Sequence, residues 1–209
     1  MDNSIANLTI SLAVAVVAIA AVAYLVTRTR LFSDALLGKM SWKNTLFIMV
    51  VFGLISILGT YASVEVMDAK INWRDLGPMI AGLVGGPVAG IGAGLISGAH
   101  RYLMGGGTAL ACSLATVFAG VFGSIIWYLA GKRFIGVTVA VLFAALQEVF
   151  HMALILLLAQ PYSYAVAVVE AIWVPMILFN AVGMFVFATI LTRLTRGHTV
   201  IEGAEGQPS

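Results

Sequence analysis

The sequence predicts an all-α integral membrane protein with five transmembrane helices and one re-entrant helical hairpin; six full spans are the alternative. Of its 209 residues, 61% are hydrophobic and only 10% are charged, whereas a soluble domain is about 45–50% apolar and about 25% charged. Long apolar segments recur along the chain, and the hairpin arrangement places most basic residues on one side. We therefore expect one membrane domain over residues 1–194 and a short polar cytoplasmic tail over 195–209.

Five segments offer roughly the 20 apolar residues that a spanning helix needs. They are Ile5–Thr27, Thr45–Val64, Thr108–Ala130, Phe134–Ala159 and a last one within Ala165–Leu191. The first segment is too long for a signal-peptide core and has no basic residues before it, so we expect a retained anchor. The last is most secure after Trp173, because Pro175 is tolerated near a helix start.

The segment Leu76–Ala99 has two interpretations. As one helix it would be a sixth span. With a break at Gly85-Gly86-Pro87 it forms two short helices, Leu76–Val84 and Val88–Ala99. Each would be roughly 14–18 Å long at about 1.5 Å per residue, half of the ~30 Å hydrocarbon core, so the chain would return to the side it left.

The distribution of basic residues favours the hairpin, because cytoplasmic loops are enriched in Lys and Arg. Six full spans would divide the eleven basic residues five against six, which is no bias. With a hairpin, eight are cytoplasmic and three are outside. The eight are Arg28, Arg30, Lys39, Lys43, Lys132, Arg133, Arg193 and Arg196, and the three are Lys70, Arg74 and Arg101. The N-terminus is then outside and the C-terminus is cytoplasmic.

Arg74 and Arg101 bracket a glycine-rich apolar run, and the segment Gly77–Gly107 contains 11 of the 22 glycines. An arginine inside a bilayer costs about 2.5–3.5 kcal/mol, so it is a functional hypothesis by default. Its planar fork matches a carboxylate. We predict that a small carboxylate binds between these two arginines. In the alternative, each arginine pairs with Asp75 or Glu65, or extends to lipid headgroups.

Other polar residues near this run are further candidates. Asn72, His100 and Tyr102 are expected to supply neutral hydrogen bonds to the ligand. Cys112 either lines the pocket or is a small buried apolar residue, with Thr116 one turn away. Gly105 and Gly106 open the next span, as a weak anion site or only a flexible turn.

Polar residues of the later segments have more than one interpretation. Glu148 and His151 can meet on one helix face, where they would pair, relay protons or bind a metal. Two ligands are too few to argue a metal site, so neither a metal nor a cofactor is predicted. Glu170 is either a counter-ion for the arginines or interfacial. Asn180 and Ser97 are expected to form hydrogen bonds between helices.

Several function classes have no support in the sequence. No nucleophile–base arrangement and no phosphate-binding loop after a strand is legible, so we do not expect an enzyme. Nucleic-acid binding has no basic motif to support it. The single Cys112 excludes an intramolecular disulfide.

Six motifs together resemble the LytS-type five-transmembrane receptor domain, over about residues 45–193. They are N-x-R at 72–74, G-P-M-I-A-G-L-V-G-G-P-V-A-G at 77–90, H-R-Y-L-M-G-G at 100–106, T-A-L-A-C at 108–112, A-Q-P-Y at 159–162 and V-P-M-I-L-F-N-A-V-G at 174–183. The resemblance implies a plasma-membrane sensory module that usually precedes GAF, histidine-kinase or diguanylate-cyclase domains. It also implies a homodimer and a separate kinase or cyclase partner if no output domain is fused.

Some members of that family act in cell-wall control, and some respond to extracellular pyruvate. The resemblance implies that Arg74, Arg101 and Cys112 occupy the ligand pocket. Relatives carry a hydroxyl residue where this chain has Ala115; Thr116 is a possible substitute, and the ligand's identity stays open. A distant similarity to membrane subunits of vitamin importers makes a transporter, or a solute-binding subunit of one, the alternative function.

Overall fold

Helices form most of the computed structural model, which describes residues 2–36, 39–67 and 69–205. In chain order the elements are α1 (Asp2–Thr27), α2 (Arg30–Leu36), α3 (Trp42–Tyr61), β1 (Val64–Val66), β2 (Ala69–Ile71), α4 (Leu76–Leu103), α5 (Ala109–Leu129), α6 (Val137–Leu158) and α7 (Tyr162–Glu205).

The all-α membrane architecture is confirmed. In the described part of the chain, α3 to α7 are each long and apolar enough to cross a membrane, and α1 with α2 forms a sixth, bent candidate with an 85° angle. Helix α2 and the β1–β2 hairpin were not predicted. The sequence placed Val64 in the preceding span, but α3 ends at Tyr61 and Val64 pairs with Ile71 in the hairpin. The last helix continues to Glu205, into the segment predicted as a polar tail.

Helix α4 is broken where the sequence predicted. Gly86 has φ 71° and ψ −161°, a backbone conformation open almost only to glycine, and Pro87 cannot donate to the helical hydrogen bonds. A Cβ on Gly90 would lie 2.6 Å from the Cα of Gly82, whereas eight residues along a straight helix span about 12 Å. The two halves of α4 therefore fold back against each other.

Contacts at Tyr164 show that α4 returns to the end it left. Its hydroxyl donates a hydrogen bond to the carbonyl of Met67, which precedes α4, at 3.2 Å. A Cβ on Gly107, which follows α4, would lie 2.7 Å from the Tyr164 ring. Because both flanking loops meet the same side chain, α4 is a re-entrant hairpin. The alternative of a sixth full span at α4 is wrong.

The hairpin reaches further than predicted. A Cβ on Gly86, at its tip, would lie 2.7 Å from the ring of Trp127, near the end of α5. Its second half extends to Leu103 instead of Ala99. The hairpin therefore follows most of the length of α5, whereas the sequence predicted half-membrane depth.

Glycines hold the hairpin against α5 without intervening side chains. A Cβ on Gly82 would lie 2.7 Å from the carbonyl oxygen of Gly120, and one on Gly94 would lie 2.9 Å from the Cα of Val117. Small residues at four-residue spacing permit such close approach of helix backbones in lipid. This contact fixes the depth at which the ends of the hairpin meet α5.

Candidate anion-binding site

Arg74 lies just before the hairpin, completely buried against α5. The β1–β2 hairpin and Asn72 position it, because the Asn72 side-chain oxygen accepts a hydrogen bond from the Arg74 backbone N–H at 3.0 Å. Arg74 Nε donates to Thr116 Oγ1 at 2.8 Å. Both terminal nitrogens, Nη1 and Nη2, are buried without a hydrogen-bond partner among the described residues. These two nitrogens are the ones that would donate to a bound carboxylate, and within the described residues they donate to nothing else.

Asp75 is the immediate counter-ion of Arg74. Its Oδ1 lies 3.4 Å from Arg74 Nε and accepts a hydrogen bond from Thr116 Oγ1 at 2.6 Å. The sequence alternative that Arg74 pairs with Asp75 is therefore confirmed. Glu65, the other possible partner, instead pairs with Lys70 at 3.2 Å near the surface.

Arg101 approaches α5 one turn before Cys112, with 1% of its surface exposed. Its Nη1 donates to the Gly105 carbonyl at 2.7 Å and its Nη2 to Thr108 Oγ1 at 3.1 Å. Its Nε is buried and lacks a partner in the part of the chain that the structure describes. The glycine turn after α4 therefore anchors this arginine through a carbonyl oxygen.

Cys112 lies midway between the two threonines that the arginines contact, four residues from each of Thr108 and Thr116. It is buried as a free thiol. Arg74, Arg101 and the His151 imidazole all lie near enough to act on it electrostatically. The two arginines, Cys112 and His151 thus converge on one stretch of α5.

The pairing of Glu148 with His151 is confirmed, and Asp75 joins it. His151 Nδ1 lies 3.2 Å from Glu148 Oε2 and 3.2 Å from Asp75 Oδ2; only the Glu148 contact has hydrogen-bond geometry. His151 Nε2 and Glu148 Oε1 are buried without partners among the residues described. We name the following residues the buried charge cluster: Arg74, Asp75, Arg101, Glu148 and His151.

One ligand atom from each of Asp75, Glu148 and His151 lies within 4.8 Å of the others, a spacing that could surround a cation. The sequence had identified only two of these three. The buried guanidinium of Arg74 stands 3.4 Å from Asp75 Oδ1, and its charge opposes a divalent cation there. We therefore assign the three residues to the charge balance of the cluster and not to a metal.

Three of the residues predicted to contact the ligand are not members of the buried charge cluster. The Asn72 amide donates to the Lys70 carbonyl at 2.6 Å, so this side chain shapes the backbone beside Arg74. His100 Nε2 lies 3.1 Å from the Tyr61 hydroxyl, and Tyr102 is 58% exposed. Their role as ligand contacts stays a prediction.

Outcomes for the remaining polar candidates differ. Glu170 is exposed, which agrees with the interfacial alternative. Asn180 connects two parts of the fold, because its amide donates to the Asn72 carbonyl at 3.1 Å. The prediction for Ser97 is wrong, since its hydroxyl donates to Ala93 within its own helix, at 2.8 Å.

A family model described as 5TMR of 5TMR-LYT matches residues 29–194. The chain belongs to this family. The match covers the hairpin, α5, α6 and the buried charge cluster, so the predicted resemblance is confirmed.

Two relatives are sensor proteins. The chain is 33% identical over 191 residues to the "Sensor protein LytS" of Bacillus subtilis (strain 168), covering 83% of this chain and 32% of the relative. It is 36% identical over 177 residues to the "Sensor histidine kinase BtsS" of Escherichia coli (strain K12), covering 81% of this chain and 31% of the relative. The chain thus spans about a third of these relatives, and it carries their membrane receptor region. No solved structure matches it.

Proposed function

We propose that this chain is the membrane receptor domain of a signalling pathway and binds a small extracellular carboxylate, such as pyruvate, between Arg74 and Arg101. The observation that carries this proposal is the set of buried, unpartnered cationic nitrogens: Arg74 Nη1 and Nη2, and Arg101 Nε. A buried charge without a hydrogen-bond partner is strongly unfavourable, so such donors point to an anion that completes them.

The geometry favours a compact carboxylate. The two terminal nitrogens of Arg74 offer the parallel donors that a carboxylate accepts bidentately. Both arginines are fully buried beside helices that glycines hold in close contact, which limits the size of the ligand. Cys112 lies within electrostatic reach of both arginines and of His151, so we expect the rest of a small acid to contact it.

The signal would pass through the hairpin to α7. A ligand shifts a conformational equilibrium only if it binds one state better than another. A carboxylate that joins Arg74, before the hairpin, to Arg101, at its end, favours the state in which the two ends are closest. The hairpin then moves against α5, and the cytoplasmic end of α7 near Arg193 transmits the change. The receptor would act as a homodimer in the plasma membrane, with the C-terminus cytoplasmic and a histidine kinase as its output.

Calorimetric titration of the detergent-purified chain with pyruvate, lactate and acetate tests the site. Each arginine forms charge-assisted hydrogen bonds of about 1.5–3 kcal/mol. Arg74→Gln and Arg101→Gln should each weaken binding at least about tenfold. Arg74→Lys, which keeps the charge without the fork, should recover part of the loss. Arg133→Gln is the matched control, because Arg133 is exposed and outside the cluster.

Two results would contradict the proposal. One is unchanged affinity in both arginine variants, with melting temperatures that show folded protein. The other is an absence of binding to any acid of the panel. Broken helices also form substrate sites in transporters, so uptake of labelled pyruvate into proteoliposomes should be measured. Uptake abolished by Arg74→Gln would favour the transport alternative.

A further inference from the structure

The charges of the buried cluster are balanced before a ligand enters. Arg74 and Arg101 contribute two positive charges, and Asp75 and Glu148 contribute two negative charges. All four side chains are at most 1% exposed. With a neutral His151 the cluster has no net charge. A carboxylate that entered alone would leave one uncompensated negative charge, which is costly away from water.

The structure offers two atoms that could accept a compensating proton. His151 Nδ1 faces carboxylate oxygens of Glu148 and Asp75, both at 3.2 Å, so it carries a hydrogen. A second proton would therefore go to His151 Nε2, which is buried and without a partner among the described residues. Glu148 Oε1 is likewise buried and without a partner among the described residues. A proton on either atom restores neutrality when an anion is bound.

We propose that the site takes up one proton together with each carboxylate, held by the Glu148–His151 pair. The proposal rests on the carboxylate site proposed above. The receptor then responds to the combined concentrations of carboxylate and protons outside the membrane. Protonated His151 Nε2 also becomes a donor, and it hydrogen-bonds the bound acid.

Charged and titratable groups of the neighbouring elements act on this pair. They are Arg74 and Asp75 before α4 and Cys112 on α5, while Arg101 at the end of α4 acts on Cys112. On α7, Glu170 and Arg193 are exposed and outside the cluster. Carboxylic acids titrate near pH ~4, so the ligand keeps its charge between about pH 6 and pH 8. A change of affinity in that range therefore reports on the protein.

The test is calorimetric titration of the wild-type chain with pyruvate, in buffers of different ionisation enthalpy, with and without EDTA. We expect the heat to vary with the buffer by an amount that corresponds to about one proton taken up per bound pyruvate. Affinity should fall by about tenfold per pH unit as the pH rises through the coupled range. Proton uptake is measured on the unmodified chain, so the result does not depend on whether variants fold.

Substitutions of Glu148 and of His151 should change pyruvate binding in different ways. Glu148→Gln removes one negative charge, so pyruvate should bind with little proton uptake and an affinity almost independent of pH. His151→Gln removes the Nε2 donor to the bound acid and leaves the charge balance unchanged, so binding should weaken at every pH. A purely structural role for Glu148 would weaken binding and leave the pH slope unchanged. Glu65→Gln is the matched control, since Glu65 pairs with Lys70 near the surface and its loss should alter neither measure.

Failures of the two proposals are distinguishable. Pyruvate binding with no proton exchange and no pH slope would overturn this inference and leave the carboxylate site intact. Binding that is lost in EDTA would overturn it in favour of a cation at Asp75, Glu148 and His151. An absence of binding to any carboxylate would overturn both proposals.

Discussion

Thr116 holds Arg74 and Asp75, the charged pair just before the hairpin, in place. Its hydroxyl accepts from Arg74 Nε at 2.8 Å and donates to Asp75 Oδ1 at 2.6 Å. One hydroxyl thus forms a hydrogen bond with one atom of a buried cation and one atom of a buried anion. Its neighbour Ala115 is also buried, but it has no hydroxyl. Its backbone carbonyl accepts a hydrogen bond from the Gln147 amide at 2.9 Å. The helix therefore presents the Thr116 hydroxyl to the cluster, and its role as a substitute ligand contact stays a prediction.

Thr116→Val should lower the stability of the protein by about 1–3 kcal/mol, because a valine of the same shape leaves both charged groups with one partner fewer. Thr60→Val is the matched control. Thr60 is equally buried, and its hydroxyl donates only to the Ser56 carbonyl of its own helix, at 3.3 Å. Thermal unfolding in detergent compares the two. Equal losses of melting temperature would show that Thr116 has no special role.

At the scale of the element, the hairpin α4 depends on close backbone contact. A Cβ on Gly90 would lie 2.6 Å from the Gly82 Cα of the opposite half and 2.6 Å from the Gly120 carbonyl oxygen of α5. Backbone atoms cannot move aside as a side chain can. The glycines therefore determine how closely the halves approach and where Arg74 and Arg101 meet α5.

Gly90→Ala should destabilise the chain by about 1–3 kcal/mol through overpacking and should also weaken carboxylate binding, since it separates the two ends of the hairpin. Gly53→Ala gains the same helix propensity on α3 and serves as the control. Its Cβ would meet only the Ile96 side chain, at 3.1 Å, which can shift. The comparison uses melting temperature and pyruvate affinity, and similar effects in both variants would contradict the packing argument.

At the scale of the whole molecule, the re-entrant hairpin determines which loops share a side of the membrane. The loop before α4 and the loop after it both contact Tyr164, so they lie at one end. The excess of basic residues elsewhere predicts that this end is outside.

Single cysteines labelled with a membrane-impermeant thiol reagent should report this orientation in intact cells. Glu65→Cys and Met104→Cys should both react from outside, whereas Arg133→Cys should react only after the membrane is opened. The unsubstituted chain is the control, because Cys112 is buried. Labelling of Glu65→Cys and Met104→Cys from opposite sides would contradict the hairpin.

The sequence by itself determined the fold class, the break at Gly86-Pro87 and the family. These depend on local properties: apolar length, the conformational preferences of glycine and proline, and contiguous motifs. Its charge distribution also identified Arg74 and Arg101 as the residues to explain. It did not predict α2 or the β1–β2 hairpin, because both are short and lie between stronger apolar signals.

Only the tertiary structure decided how the cluster is assembled. Asp75 had appeared as a simple partner of Arg74, and Glu148 with His151 as a separate pair some 70 positions later. Their contact at 3.2 Å depends on the depth and rotation at which α6 and the hairpin meet around α5. Such geometry arises from packing between distant segments, so no local pattern encodes it. The same packing sets the charge balance of the buried cluster, and with it the predicted proton coupling.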